Sequence, residues 1–222
     1  ELIDLALAVS SVDYDEIRSY VERLVGDGSK GLARVHNESA AMKKYGVFPI
    51  DAPTGRFLEL ITRIRSPKSI LEIGPGIGYG SLWLLRGANS KTTLDVIEVN
   101  PYIARRFEKI MAREGCRNTI KIHHGAALPV LAKMKRTFDC IFIDADKGEY
   151  PDYLRQSLRL TRRGSVILAD DIYKFWNNFP AGQKQADQQG VRGYTEMIFK
   201  DKRLSSLILP LGDGLAITFR IK

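Results

Sequence analysis

The 222 residues are 44% hydrophobic and 27% charged, which suits a soluble α/β domain with a sizeable core and an N-terminal extension, and no apolar run approaches the roughly 20 residues of a membrane span. No signal peptide is visible, and two cysteines, Cys116 and Cys140, argue against a disulfide framework and for a reducing, cytoplasmic setting. The net charge of +8 permits a nucleic-acid partner, but the basic residues are scattered; Arg105-Arg106, Lys133-Met134-Lys135-Arg136 and Arg162-Arg163 are expected at helix ends or on turns, and read as a solvated surface.

In chain order, a helix is expected from Asp13, its cap, to Val25, with Ile17, Tyr20, Val21 and Leu24 as its apolar stripe. A second runs from Ser29 or Lys30 to about Lys44. Val47 to Gly55 holds two prolines and reads as an extended loop. A third helix, Arg56 to Arg65, places Phe57, Leu60, Ile61 and Ile64 on one face. From Ser69 strands and helices alternate. Strands are expected at Ser69–Ile73, Thr93–Glu98, Ile120–Ile122, Phe138–Ile143 and Ser165–Ala169, with helices at Tyr102–Glu114, after Gly125 and around Asp152–Leu160. Leu204–Leu209 and Leu215–Ile221 are separated by too short a linker for a crossover helix, so they form an antiparallel pair. The fold class is a doubly wound, mostly parallel seven-stranded sheet with an antiparallel C-terminal strand and N-terminal helices: a single domain over 1–222, with a helical extension or lid at 1–65 and an α/β core at 66–222.

Ile70 to Ser81 reads as buried strand, glycine turn and helix start, and glycines let backbone approach a ligand while a helix N-terminus favours an anion. The spacing is neither that of a dinucleotide fingerprint nor of a P-loop. Glu98 follows the turn by about 25 residues, the distance at which an acid grips ribose hydroxyls. Asp144, Asp170 and Asp171 fall at strand ends, where ligands sit in such sheets. Three neighbouring carboxylates would repel unless a hard cation such as Mg²⁺ held them; spacing alone leaves that open against capping and solvation. Lys147 is either a surface cation beside Asp146 or Glu149, or a base. His123 and His124 point to opposite faces of a strand and cannot share one metal ion; one could approach a cofactor's base, and His36 receives no role.

Leu71-Glu72-Ile73-Gly74, Gly78-Tyr79, Ile97-Glu98-Val99-Asn100-Pro101, Gly125-Ala126-Ala127-Leu128-Pro129, Phe142-Ile143-Asp144-Ala145-Asp146-Lys147, Leu168-Ala169-Asp170-Asp171 and Leu211-Gly212-Asp213-Gly214-Leu215 occur in this order. Together they resemble the class I, cation-dependent O-methyltransferases of the catechol and caffeoyl-CoA group, from about Lys44 onward. The resemblance implies a Rossmann-like methyltransferase fold and S-adenosylmethionine as methyl donor. It implies donor contacts from Glu72, Gly74, Gly76, Gly78, Tyr79, Ser81, Glu98, Val99, Gly125, Ala126 and Asp144. It also implies a divalent cation, Mg²⁺, on Asp144, Asp170 and Asp171, with Lys147 and Asp144 as catalytic residues and Val47 to Ala52 as a covering loop. The acceptor it implies is a small aromatic molecule with adjacent hydroxyls, and the assembly a homodimer. Three positions depart from the family pattern. Asp171 replaces a common Asn, Gly80 displaces the usual Ser to Ser81, and the stretch from Ile172 to Trp176 lacks an expected glycine. Tyr173, Phe175 and Trp176 could stack on an acceptor or pack as hydrophobes. Two other functions are compatible with the sequence: a tRNA hydroxyuridine methyltransferase, since the chain is basic, and a cofactor-binding module without catalysis.

Overall fold

The computed structural model describes residues 14–26, 28–173 and 183–222. Asp13 and the segment containing Phe175 and Trp176 lie outside these. Seven strands, β1 (Ser69–Ile73), β2 (Thr93–Glu98), β3 (Thr119–His124), β4 (Cys140–Ile143), β5 (Val166–Ala169), β6 (Leu204–Leu209) and β7 (Leu215–Arg220), form one sheet in the order β3-β2-β1-β4-β5-β7-β6. β1 to β5 pair in parallel, and β7 runs antiparallel to both β5 and β6.

The sheet is covered on both faces, and the strand sequences show why. Side chains alternate across a strand. Ile70, Leu94, Val96, Phe142 and Leu168 enter one apolar cluster, while Leu71, Ile73, Ile97, Ile141 and Ile167 enter the other. A strand wet on one face would alternate apolar with polar; these central strands are apolar on both faces, with Glu72 and Asp95 as buried exceptions, because neither face meets water. The first cluster is closed by α2 (Lys30–Ala40), α3 (Ala52–Arg65), α4 (Tyr79–Gly87) and α5 (Pro101–Arg113), the second by α6 (Ala127–Lys133), α7 (Tyr150–Arg159) and α8 (Gln183–Lys200). The first described helix is α1 (Tyr14–Val25).

Several expectations need correction. The two-proline loop is shorter than expected, because Asp51 accepts a hydrogen bond from the Thr54 amide at 2.7 Å and starts α3 four residues early. Pro53 then sits in the first turn, where a missing N–H costs nothing. The buried face of α3 is Leu58 and Thr62 with Thr54 and Gly55; of the expected stripe, Phe57 and Ile61 pack half-buried against the first cluster, while Leu60 and Ile64 are exposed. Ile17, Tyr20 and Leu24 of α1 are exposed as well. α2 stops at Ala40 and a 3₁₀ turn covers Lys43–Tyr45. Arg105 and Arg106 lie in the middle of α5, not at its end. The sequence reading also missed α8, whose Gly190 and Gly193 interrupt a helical pattern. Gly190 is there for space: a Cβ would stand 2.1 Å from the Lys147 carbonyl oxygen.

Candidate active site

A cavity of about 940 Å³ opens at the carboxyl ends of β1, β2, β4 and β5, as expected of a doubly wound sheet. Gly74 makes it possible. Its φ of +84° is one that side-chain-bearing residues rarely adopt, and a Cβ would stand 2.2 Å from the Asp144 carbonyl oxygen. With glycine there, the ends of β1 and β4 close to backbone contact and Asp144 faces the turn.

The structure brings together Glu72, Gly74, Gly76, Tyr79, Glu98, Val99, Asp144, Lys147, Asp170 and Asp171 on the cavity wall. Four other expected residues do not line it. Gly78 caps α4, with φ +102°. The Gly125 amide donates to the Glu98 carbonyl at 3.1 Å, and Ala126 sits at the cap of α6. Ser81 is fully buried and its hydroxyl donates to Glu72 Oε2, so the displaced serine is spent on holding a carboxyl. Neither His123 nor His124 lines the cavity, and His123 Nε2 is 2.8 Å from Asp95 Oδ1. Tyr173 is exposed, packed against Gly214 and outside the lining.

The wall is strongly acidic. Asp51, Glu72, Glu98, Asp144, Asp146, Asp170, Asp171, Asp187 and Asp213 face one ammonium, Lys147. Burial, supported by Asp144, pushes the Glu72 carboxyl up to about 8, against the Ser81 hydrogen bond. Burial also raises Glu98, which accepts from the Asn100 amide at 2.9 Å. Asp170 is raised well above the usual carboxylate range by burial and by the charges of Asp144 and Asp171. Its Oδ1 is buried and has no hydrogen-bond partner among the described residues.

Lys147 begins a 3₁₀ turn held by Asp146, whose side chain accepts from the Gly148 amide at 2.9 Å. Its Nζ donates to Asp144 Oδ1 at 2.7 Å and to Tyr150 Oη at 2.8 Å, and pairs with Asp171 Oδ2 at 3.0 Å. Burial works to lower its pKa, but Asp144, Tyr150 and Asp171 outweigh that and raise it well above the ordinary lysine value. Lys147 is therefore an ammonium in this state, not a base. Asp171 holds a left-handed backbone, φ +64°, which short Asp and Asn side chains tolerate best.

Oxygen-only donors and the unpartnered Asp170 Oδ1 fit a hard divalent cation. They are not yet a cage. Among the described residues no group of three His, Cys, Asp or Glu side chains is arranged to hold a metal ion, and Lys147 Nζ stands between Asp144 and Asp171.

Sequence reasoning missed several wall residues. His36 and Ser39 come from α2, and Ser39 Oγ is buried without a hydrogen-bond partner among the described residues. The His36 ring meets Tyr79 edge-on at 5.1 Å. Tyr150 is fully buried beside Lys147, and its hydroxyl donates to the Asp170 carbonyl at 3.0 Å. The i,i+3 spacing of Lys147 and Tyr150 at a helix start was the one signal available for it.

Residues 26–221 match the family model described as O-methyltransferase, and the chain belongs to that family. It is an O-methyltransferase enzyme. A catechol O-methyltransferase of Niastella koreensis is 28% identical over 215 residues, covering 92% of this chain and 96% of the relative. The O-methyltransferase TomG of Streptomyces achromogenes, involved in tomaymycin synthesis and solved with S-adenosylmethionine, is 26% identical; it superposes with a TM-score of 0.78 over 93% of this chain and 96% of its own. An O-methyltransferase of Bacillus cereus, solved with S-adenosylhomocysteine, is 27% identical with a TM-score of 0.74, covering 92% and 97%.

Proposed function

We propose that this enzyme is an S-adenosylmethionine-dependent, divalent-cation-dependent O-methyltransferase of a small catechol-like acceptor. The observation that carries the reading is the row of strand-end acids around a buried lysine, facing the glycine turn in one cavity. Relatives solved with the donor or its demethylated product support the cofactor, and the relative named for catechol supports the acceptor.

S-adenosylmethionine, when bound, supplies an electrophilic methyl group. The Glu98 carboxylate, at the end of β2, would accept from vicinal ribose hydroxyls, and the glycine turn with Glu72 would receive the methionine half. Asp144, Asp170 and Asp171 would hold a divalent cation, whose charge lowers the pKa of an acceptor hydroxyl. Lys147 moves the proton. Facing two carboxylates it is protonated; with Asp144 and Asp171 engaged by a cation, the charges that raise its pKa would be withdrawn and burial would lower it. Lys147 Nζ would then accept the hydroxyl proton, with Tyr150, whose hydroxyl accepts from it at 2.8 Å, holding the amine in place. The walls would hold donor methyl and acceptor oxygen together, near-attack distance being roughly 3–3.5 Å.

The N-terminal segment acts as the lid, since His36, Ser39 and Val47 to Asp51 form one wall. The apolar side chains exposed on α1 and α3 suit a homodimer, and the two free cysteines suit a reducing cytoplasm. No helix among the described residues is long and apolar enough to cross a membrane.

The test is transfer of a labelled methyl group from S-adenosylmethionine to a panel of simple catechols, with Mg²⁺ and with EDTA. Product that disappears with EDTA is expected. Donor binding without product on any catechol would overturn the acceptor, and product unaffected by EDTA would overturn the metal.

A further inference from the structure

The pair Arg105-Arg106 belongs to a longer pattern that only the helix reveals. Tyr102, Arg105, Arg106, Lys109, Ile110 and Arg113 fall at i, i+3, i+4, i+7, i+8 and i+11 of α5, and line one groove of about 410 Å³. That is a single face, about 16 Å long at 1.5 Å per residue, with cationic rungs about 6 Å apart. One acid, Glu38 of α2, enters the groove; it pairs with Arg113 at 2.9 Å and with Arg106 at 3.7 Å. Arg113 also pairs with Glu114 at 2.8 Å, outside the groove lining. Arg105 and Lys109 are exposed and make no ion pair among the described residues. Arg106 Nε is buried and has no hydrogen-bond partner among the described residues.

The head of the groove is aromatic. Exposed Tyr102 packs on exposed Tyr45 with ring centroids 5.1 Å apart, and Lys44 Nζ lies 5.0 Å from the Tyr45 ring. A row of cations in three tiers, Arg105 with Arg106, then Lys109, then Arg113, ending in exposed rings matches what a single strand of nucleic acid offers: successive phosphates and flat bases that stack. An acidic peptide would use the cations but not the rings. The neighbouring cavity, into which Tyr45 also faces, is walled by carboxyl groups and repels phosphodiesters, so a strand is kept to the groove.

We infer that the α5 groove is a docking site for a single-stranded nucleic acid, its phosphates on Arg105, Arg106, Lys109 and Arg113 and a base on the Tyr102–Tyr45 pair. The site is separate from the methyl-transfer cavity and does not depend on which acceptor that cavity takes.

The experiment is fluorescence anisotropy of a labelled 15-nucleotide oligouridine at 50, 100 and 200 mM NaCl. Wild type is compared with Arg105→Gln/Lys109→Gln, and with Lys133→Gln/Lys135→Gln as a control of equal charge at exposed positions elsewhere. The groove variant is expected to bind at least tenfold more weakly at 100 mM salt. Its log–log salt slope should fall by about 1.4, as for two lost phosphate contacts at about 0.7 each on a single strand. The control should stay within twofold of wild type. Equal weakening of both variants would reduce the effect to net charge and overturn the site, as would absence of wild-type binding at 100 mM salt.

Discussion

Replacing Glu72 with Gln isolates one buried charge. The carboxyl lies at the end of β1 with Ser81 as its hydrogen-bond donor, and its pKa stands at about 8 where an unfolded chain has 4.5. At 1.36 kcal/mol per tenfold change in proton affinity, that difference is about 5 kcal/mol. Between pH 4.5 and 8 the folded protein keeps a proton on Glu72 that the unfolded chain has released. Stability therefore falls as pH rises through this window, and the whole loss is in place above it. About 3 kcal/mol of it falls between pH 5.5 and 8. For a chain of this size that is roughly 6–12 °C in Tm. Gln has no proton to lose, so Glu72→Gln removes this slope. The assay is urea and thermal unfolding of the ligand-free enzyme and of the variant at pH 5.5, 6.5, 7.5 and 8.5. Other buried groups, Asp170 among them, contribute slopes to both proteins, so the difference between the two curves is what counts. Parallel curves would show that Glu72 is ionised throughout and refute the reasoning.

Four further outcomes are expected. Lys147→Ala should lower kcat by about 10²–10⁴-fold, the range for a lost proton-transfer group, with donor affinity within threefold by calorimetry. Tyr150→Phe keeps the buried ring but strips a partner from Lys147 Nζ and from the Asp170 carbonyl; unfolding should show a loss of about 1–3 kcal/mol, and turnover should fall about tenfold. Gly190→Ala gains about 1 kcal/mol of helix propensity but drives a methyl into the Lys147 backbone, so chemical denaturation should show a net loss of about 2 kcal/mol. Glu98→Gln should weaken S-adenosylmethionine binding about tenfold, measured by calorimetry, because an amide presents one acceptor oxygen to two hydroxyls where a carboxylate presents two.

How much of this was legible before folding depended on how local each cause is. The central parallel strands were clear because burial on both faces leaves runs that are mostly apolar, and topology alone then carried Glu98, Asp144, Asp170 and Asp171 to the same rim. α8 was not clear: its two glycines read as breaks, and the reason for Gly190 is a backbone more than 40 positions earlier in the chain. The stripes expected on α1 and α3 have helical spacing, yet Ile17, Leu60 and Ile64 are exposed, because periodicity marks a face without saying what it meets. In the site, residue types at strand ends were readable. Asp144 and Tyr150 lie three positions either side of Lys147 and left that local trace, but the approach of Asp171 to its Nζ, and the entry of His36 and Ser39 from α2, are products of tertiary packing with no trace in the local sequence.

The place of β7 in the sheet has a consequence for synthesis. It lies between β5 and β6, so the edge of β5 has no neighbour until residues 215–220 have left the ribosome, although β1 to β5 can assemble well before. For that interval the nascent chain presents an open, strongly apolar strand edge, Val166–Ala169, of the kind that pairs with other chains. Slow translation of the stretch from β5 to β7 would prolong the exposure. Ribosome-associated chaperones would therefore raise the yield of native enzyme most for chains stalled between positions 170 and 214.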